Sequence, residues 1–330
     1  YFNGAPIIAV PGRTFPVSVT HLEDIVELTQ YIVSEDSFYA GSRHKITQGN
    51  NQSGVRIKMS RNVKRGNLEY DHEELLEEMQ YADLDPEKYS KETSLTIARL
   101  DTTKVNYELI ESLLLYLDDK KSESPYSEIE GAVLIFLPGM GEITRLQEAL
   151  LGNRTFANRK RYRIVPLFSS LSIAQQQDAF STPPSGIRKI VLATNIAETG
   201  VTIPDVVFVI DTCLVKETRF NEHTRIRGLV QCYIPQSSGK QRRGRAGRVR
   251  EGFCFRLVTK SRYDTFAPEL TPELLRVPLD ELCLNIIVND NSPMLYLQEA
   301  LDAILIIQMS DDEKFYFKSP SEGKPVEHYN

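Results

Sequence analysis

The segment RKIVLATNIAETGVTIPDVVFVID, residues 188–211, contains two strand-length runs, RKIVLA and VVFVID, on either side of a short helical stretch. Both runs are apolar for most of their length and rich in β-branched side chains. That composition suits strands buried on both faces, and two such runs joined by a crossover imply a parallel pair. The pattern repeats on both sides. Upstream, AVLIFL (132–137) precedes a helical pattern from Glu142 to Leu151, and RIVPLF (163–168) precedes a helix from Ser172 to Phe180. Downstream, FCFRLV (253–258) closes the series. Strands alternating with helices predict an α/β fold, a parallel sheet with helices on both faces. Ligands in such sheets bind at the carboxyl ends of the strands, so the informative residues should follow each strand.

Four groups of residues do so. PGMGEI (138–143) is a Gly-rich turn opening a helix, which presents backbone N–H groups to an anion. SSLSIAQQQDAF (169–180) offers hydroxyls and amides that can hold phosphates, with Phe180 either a core residue or a stacking surface. TNIAETGVTIPD (194–205) places Thr194 and Asn195 at a strand tip. The fourth, KQRRGRAGRVREG (240–252), has six Lys or Arg among its first eleven residues. Ser237 or Ser238 is expected to cap a helix carrying Gln241, Arg242, Arg245 and Arg248, whose three-residue spacing puts the arginines on or near one face. Gly244 and Gly247 cost such a helix about 1 kcal/mol each, which the close approach of a bulky anion would offset. Converging guanidiniums suit a triphosphate, where bidentate contacts form and developing charge is neutralised. Alone the stretch would also fit a generic basic patch or localisation signal.

The remainder of the chain is less regular. Residues 1–38 hold strand-like runs at Pro6–Val10 and Phe15–Thr20, then a short helix from His21 to Ser34. In residues 40–95 seven basic residues without an acidic one (Arg43–Arg65) are followed by ten acidic and two basic (Glu69–Glu92). The segment carries too little apolar surface to offset chain entropy and reads as an insertion, either a solvated linker or a tether to RNA or a partner. From Ile97 to Leu117 the spacing predicts one helix. LVKETRFN and IRGLVQCYI, within 214–234, predict a projecting antiparallel hairpin carrying Lys216, Arg219, Arg225 and Arg227, either solvated or in contact with a partner. Pro278–Val288 predicts an amphipathic helix beginning a small helical C-terminal segment.

Size and composition bound the function. The 330 residues, 41 % apolar and 25 % charged, suit a globular protein with a sizeable core. A net charge of −6 means that phosphates must be met by a local patch rather than by the whole surface. The cysteines, Cys213, Cys232, Cys254 and Cys283, form no C-x-x-C pair and read as small buried hydrophobes in a reducing compartment. No apolar run approaches the ~20 residues of a membrane span, and no metal site is expected. The opening YFNGAPIIAV reads as a strand inside a fold, so the chain is expected to be a piece of a longer protein.

With these motifs in hand the chain resembles the second RecA-like domain of the DEAH/RHA group of superfamily 2 RNA helicases. LIFLPGMGEI is similar to motif IV, PLFSSLSIAQQQDAF to motif IVa, ATNIAETGVTI to motif V, and QRRGRAGR (241–248) to motif VI. PGRTFPVSVTHLED resembles the family's crossover from the first RecA domain, TPELLRVPLDELCL the approach to its winged helix, and KSP (318–320) a later segment. The resemblance divides the chain into a crossover (1–14), a RecA2-like domain (15–277) with an insertion at about 40–95, and the incomplete start of a winged-helix or helical region (278–330).

The resemblance implies roles. Arg245 and Arg248 would be arginine fingers on the γ-phosphate of ATP, and Gln241 would place that phosphate and the attacking water. Phe180 would stack on adenine, with Thr202, Asp205 and Arg242 beside the nucleotide. Gly139, Ser169, Ser170, Thr194 and Asn195 would grip the RNA backbone, with Lys216 and Arg219 on a strand-separating hairpin. The family moves 3′ to 5′ along RNA. The chain has neither G-x-x-x-x-G-K-[ST] nor D-E-x-H; the resemblance assigns those motifs, and the Mg²⁺ they hold, to the first RecA domain. The chain alone should therefore not hydrolyse ATP. Pro204 stands where family members often have Asp. The long insertion resembles larger members that work with ribosomes, implying a cytoplasmic monomer, with the nucleus as the alternative, acting on RNA or ribonucleoprotein. The competing readings are an inactive helicase-like module that binds RNA or protein, and a scaffold acting through residues 40–95.

Overall fold

Six strands form one parallel sheet, the arrangement expected from the buried apolar runs, in the spatial order Val17–Thr20, Gly252–Arg256, Val206–Asp211, Ala132–Phe136, Arg188–Ala193 and Tyr162–Leu167. The structure, a computed structural model, describes residues 15–41, 84–119, 124–199, 202–221, 226–270, 317–318 and 325–326. The expected crossover (1–14), most of the 40–95 insertion, the Pro278–Val288 helix and nearly all of 289–330 lie outside these residues. In chain order the elements are β1 (Val17–Thr20), α1 (Leu22–Thr29), α2 (Lys91–Arg99), α3 (Tyr107–Asp118), β2 (Ala132–Phe136), α4 (Met140–Gly152), β3 (Tyr162–Leu167), α5 (Ile173–Phe180), β4 (Arg188–Ala193), β5 (Val206–Asp211), β6 (Leu214–Asn221), β7 (Ile226–Tyr233), α6 (Gln236–Arg243), β8 (Gly252–Arg256), α7 (Lys260–Asp264), β9 (Phe317–Lys318) and β10 (Pro325–Val326). A single 3₁₀ turn, Asn195–Ala197, lies between β4 and β5.

Side chains alternate between the two faces of the sheet, as the strand period of two requires. Val133, Ile135, Ile190, Leu192, Phe208, Ile210 and Phe255 pack with α1–α4 through Ile25, Val26, Ile97, Leu109, Leu113 and Leu146. Leu134, Phe136, Val191, Ala193, Val209 and Cys254 point the other way, against Ala179, Ala197 and Ala246. β3 is an edge strand, which is why Pro166 is tolerated within it.

The helix expected over Ile97–Leu117 is two helices. Asp101 Oδ1 accepts the Thr103 amide at 3.1 Å in a tight turn. Asn106 then caps α3 by accepting the Leu109 amide at 3.0 Å. Such local side-chain bonds compete with helix continuation, and the apolar spacing bridged the break. α5 starts as expected, with Ser172 and Gln175 forming a reciprocal capping box.

β6 and β7 pair with each other in a sheet of their own. The described residues fall into two compact units, one reaching to Glu217 and resuming over Gln231–Leu270, the other containing Thr218–Val230 with β9 and β10. In the second unit β9 and β10 pair antiparallel. Cys213 and Cys254 are buried and Cys232 is half-buried, and none of the three is in a disulfide. Burial pushes the Cys254 thiol up to about 12 and the Cys213 thiol well above its ordinary value, so neither is a reactive thiolate.

Candidate functional site

The arginine-rich segment sits on the small-residue face of the sheet. Its helix, α6, starts from Pro235 rather than from Ser237 or Ser238 and ends at Gly244. Arg245 and Arg248 therefore lie in the turns that follow, where the amides of Arg245 and Ala246 donate to the carbonyls of Arg242 and Arg243 at 3.1 Å each. Gly247 is explained by packing, not by an anion. A Cβ there would stand 2.5 Å from the Phe15 carbonyl oxygen and 2.7 Å from Val17 Cγ2, and its own carbonyl accepts the Phe15 amide at 2.8 Å. The segment is pressed onto the start of β1.

Arg242, Arg245 and Arg248 converge on one loop, the connection between β4 and β5, but they are not equivalent. Arg242 is 1 % exposed. Its Nε donates to Glu198 Oε2 at 3.0 Å and its NH1 to Asp211 Oδ1 at 2.9 Å. The guanidinium carbon stands 4.9 Å from the centre of the Phe136 ring. Burial disfavours the charge, but Asp211 and Glu198 outweigh it and hold the pKa above the ordinary guanidinium value. A guanidinium enclosed in this way cannot reach a nucleotide. The expected nucleotide contact of Arg242 is therefore corrected to an internal ion-pair anchor.

Arg245 is buried at the surface of this layer, and both its Nε, at 3.1 Å, and its NH2 donate to the Glu198 carbonyl. Its pKa is lowered, first by burial and then by the neighbouring Arg248 charge, with Glu198 opposing. Arg248 is exposed and its NH1 donates to Thr202 Oγ1 at 2.8 Å. Gln241 is exposed on the last turn of α6. Arg245, Arg248 and Thr202 thus belong to one neighbourhood in which two adjacent guanidiniums repel each other. An anion of high charge relieves that repulsion, so the residues present fit a nucleotide phosphate.

Asp205 does not belong to this group. Its carboxylate lies 2.7 Å from the Nζ of fully buried Lys189, and its carbonyl accepts the Ala132 amide at 2.7 Å. Both partners stand at the amino ends of β4 and β2, the edge of the sheet away from the strand tips. The expected nucleotide contact is corrected to a structural ion pair that neutralises a buried lysine. Lys189 Nζ also donates to the carbonyls of Ala179 and Ser181, at 2.8 and 2.9 Å. It thereby satisfies the free carbonyls at the end of α5 and fixes Phe180, which is half-buried against the small-residue core.

The residues expected to meet RNA share the carboxyl edge of three adjacent strands. The Leu137 amide donates to the Ala193 carbonyl at 2.8 Å, and the Thr194 amide to the Leu167 carbonyl at 3.2 Å. These bonds bring the ends of β2, β4 and β3 into line. Gly139 follows β2 and precedes α4, half-buried; Ser169 and Ser170 follow β3, exposed; half-buried Thr194 and exposed Asn195 follow β4. α4 has no side-chain cap at Gly139. Lys216 Nζ instead bonds both Glu142 carboxylate oxygens, at 2.9 and 2.8 Å, and a Cβ on Gly139 would stand 3.0 Å from Glu142 Oε2 and 3.1 Å from Lys216 Cδ. Arg219 is exposed on the distal half of β6, in the second unit. The side chains of Arg225 and Arg227 are outside those described.

Four residues that shape the site escaped sequence reasoning: Glu198, Asp211, Glu142 and Lys189. Asp211 left a signal, an acidic residue ending an otherwise apolar strand, since a buried carboxylate requires a cation. Glu198 left only its place between Asn195 and Thr202.

Comparison with known proteins follows this geometry. The helicase conserved C-terminal domain matches residues 108–250, the span from α3 through the last arginine. The ATP-dependent RNA helicase DHX29 of Homo sapiens is 45 % identical over 92 % of this chain. The chain belongs to the DEAH/RHA group of superfamily 2 helicases and carries that group's C-terminal RecA-like domain. The Xenopus laevis dhx29 helicase is 44 % identical over 92 % of the chain. The Arabidopsis thaliana DExH-box ATP-dependent RNA helicase DExH4, chloroplastic, is 39 % identical over 87 % of the chain and is matched over 19 % of its own length. The crystal structure of the Escherichia coli DEAH/RHA helicase HrpB shares the fold, with a TM-score of 0.53 at 23 % identity over 91 % of this chain and 29 % of that one. The chain spans 22 % of the length of the two DHX29 relatives. No helix among the described residues is long and apolar enough to cross a membrane.

Proposed function

We propose that this chain is the second motor domain of an ATP-dependent RNA helicase, which works when a first RecA-like domain closes over its arginine-bearing face. The observation that carries this reading is the grouping of Arg245, Arg248 and Thr202 on one loop layer, while Gly139, Ser169, Ser170, Thr194 and Asn195 share the strand tips. Arg245 and Arg248 would bind the terminal phosphoryl oxygens of ATP and stabilise the charge that develops there, and Gln241 would orient the attacking water. Phe180, half-buried, would stack on the base. ATP, when bound, supplies the phosphoryl group whose hydrolysis drives the cycle. Among the described residues no three His, Cys, Asp or Glu side chains group as metal ligands, and the Mg²⁺ that accompanies ATP is assigned to the first domain. The strand-tip amides and hydroxyls would hold the RNA backbone without reading bases, and Lys216 and Arg219 would act from the hairpin in strand separation.

Three finer statements rest on the family resemblance and the long insertion at 40–95: 3′-to-5′ movement, action on ribosomal or other ribonucleoprotein RNA in the cytoplasm with the nucleus as the alternative, and a monomeric enzyme. Duplexes with a 3′ or a 5′ single-stranded overhang distinguish the direction. The central test is Arg245→Ala in the full-length protein. RNA-stimulated ATP turnover should fall by about 10³-fold, the scale of an arginine finger, with RNA affinity retained. Normal turnover in that variant would remove the motor role and leave the RNA-binding module.

A further inference from the structure

The arginines of this site are held by a residue that no motif reading assigned. Glu198 uses each of its three polar groups on a different structural element. Its amide donates to the Asn195 carbonyl at 2.9 Å, closing the turn that begins at the tip of β4. Its carbonyl accepts both donors of Arg245. Its carboxylate, 13 % exposed, is occupied by Arg242. Arg242 is in turn fixed by Asp211 at the tip of β5, and its NH1 lies 3.4 Å from the Leu214 carbonyl where β6 begins.

We propose that Glu198 is a positioning residue that ties the orientation of Arg245 to the state of the RNA-facing turn at Thr194–Asn195, with the Arg242–Asp211 pair as its anchor. This rests on the motor reading above. The physical reason lies in which oxygen each arginine receives. A carboxylate on Arg245 would cancel the charge that a phosphate requires. A carbonyl orients the guanidinium through two N–H bonds and leaves its charge for the incoming anion. The carboxylate of the same residue is held away by Arg242, whose fork reaches Glu198 and Asp211 at once, as a lysine could not. Backbone movement at Asn195 is carried by one hydrogen bond to Glu198 and from its carbonyl to Arg245, and this relay keeps its geometry while the Glu198 carboxylate is pinned by Arg242.

The test uses the full-length protein with Glu198→Ala and Glu198→Gln, and Arg245→Ala in parallel. The amide of the Gln variant can still accept from Arg242, so it should retain part of the coupling. With Glu198→Ala the ratio of RNA-stimulated to basal ATP turnover should fall by about tenfold or more, the usual size of coupling between two sites. KM for ATP and the affinity for single-stranded RNA should stay within about twofold, because no ligand contact is removed. The Gln variant should fall between Ala and the parent. A Glu198→Ala protein with the parent's stimulation ratio overturns the proposal. So does a loss in which KM rises while RNA affinity and thermal midpoint fall, which marks a merely structural role. Should Glu198→Ala fail to fold, Glu198→Gln decides: undiminished stimulation there also overturns it. Normal turnover in Arg245→Ala would instead refute the motor reading, whereas a dead Arg245→Ala beside an unaffected Glu198→Ala refutes this proposal alone.

Discussion

The two faces of the central sheet are made of different material. One is covered by α1–α4 and filled by Leu, Ile, Val and Phe. The other mixes Leu134, Phe136, Val191 and Val209 with the small side chains of Ala132, Ala179, Ala193, Ala197, Ala246 and Cys254, and is covered by α5, the β4–β5 loop and the arginine turns. Bulky side chains in register close the first face and supply its stability through apolar burial. Small side chains let backbone and guanidinium groups lie close to the second. There the largest fully buried side chain is Arg242 itself. The first face is a core; the second is a thin polar layer that leaves Gln241, Thr202 and Arg248 exposed.

Breaking the comparison begins with its most demanding member. Arg242→Ala leaves the carboxylates of Glu198 and Asp211 buried without their shared cation, and loss of one partner of such a cluster costs about 3–5 kcal/mol. Chemical denaturation should show that loss together with impaired turnover. A stable Arg242→Ala protein would mean that the polar layer is not held by this ion pair. Next is Leu113→Ala, a fully buried side chain under the other face. It should cost about 2–5 kcal/mol while ATP turnover per folded molecule and RNA affinity stay unchanged. A specific loss of turnover would dissolve the division of labour.

The smallest effect sharpens the contrast at the end of the sheet. His21, between β1 and α1, has its pKa lowered mainly by burial and next by Arg256. The folded state therefore prefers neutral imidazole. Its contribution to stability is present above the unfolded pKa and is lost as pH falls through the lower, folded value. Thermal midpoints should decline below about pH 6.5, and His21→Gln should flatten that slope. An unchanged slope would assign the acid sensitivity to other groups.

Much of the fold was legible because strands buried on both faces write continuous apolar runs. β2, β3, β4 and β5 lie within one residue of the runs AVLIFL, RIVPLF, RKIVLA and VVFVID. The breaks were harder. The turn at Asp101–Asn106 hid inside a helical apolar spacing, and the helix expected to carry Arg248 runs only to Arg243, because the arginine spacing fits a helix whether or not Gly244 ends it. Within the site the polar residues at strand tips were identified because chain direction alone puts them there. Arg242 and Asp205 were misassigned because their partners, Glu198 and Asp211 for one and Lys189 for the other, lie well away in sequence or across a strand.

From its sequence alone this protein determined the strands, most helix starts and the set of polar residues at the carboxyl edge, since these follow from side-chain period, local capping and chain direction. Only the tertiary structure decided which arginine is sealed in an internal ion pair and which two reach the β4–β5 loop through Glu198 and Thr202. Burial and ion-pair choice depend on residues brought together across the sheet, and spacing along one helix carries no information about them.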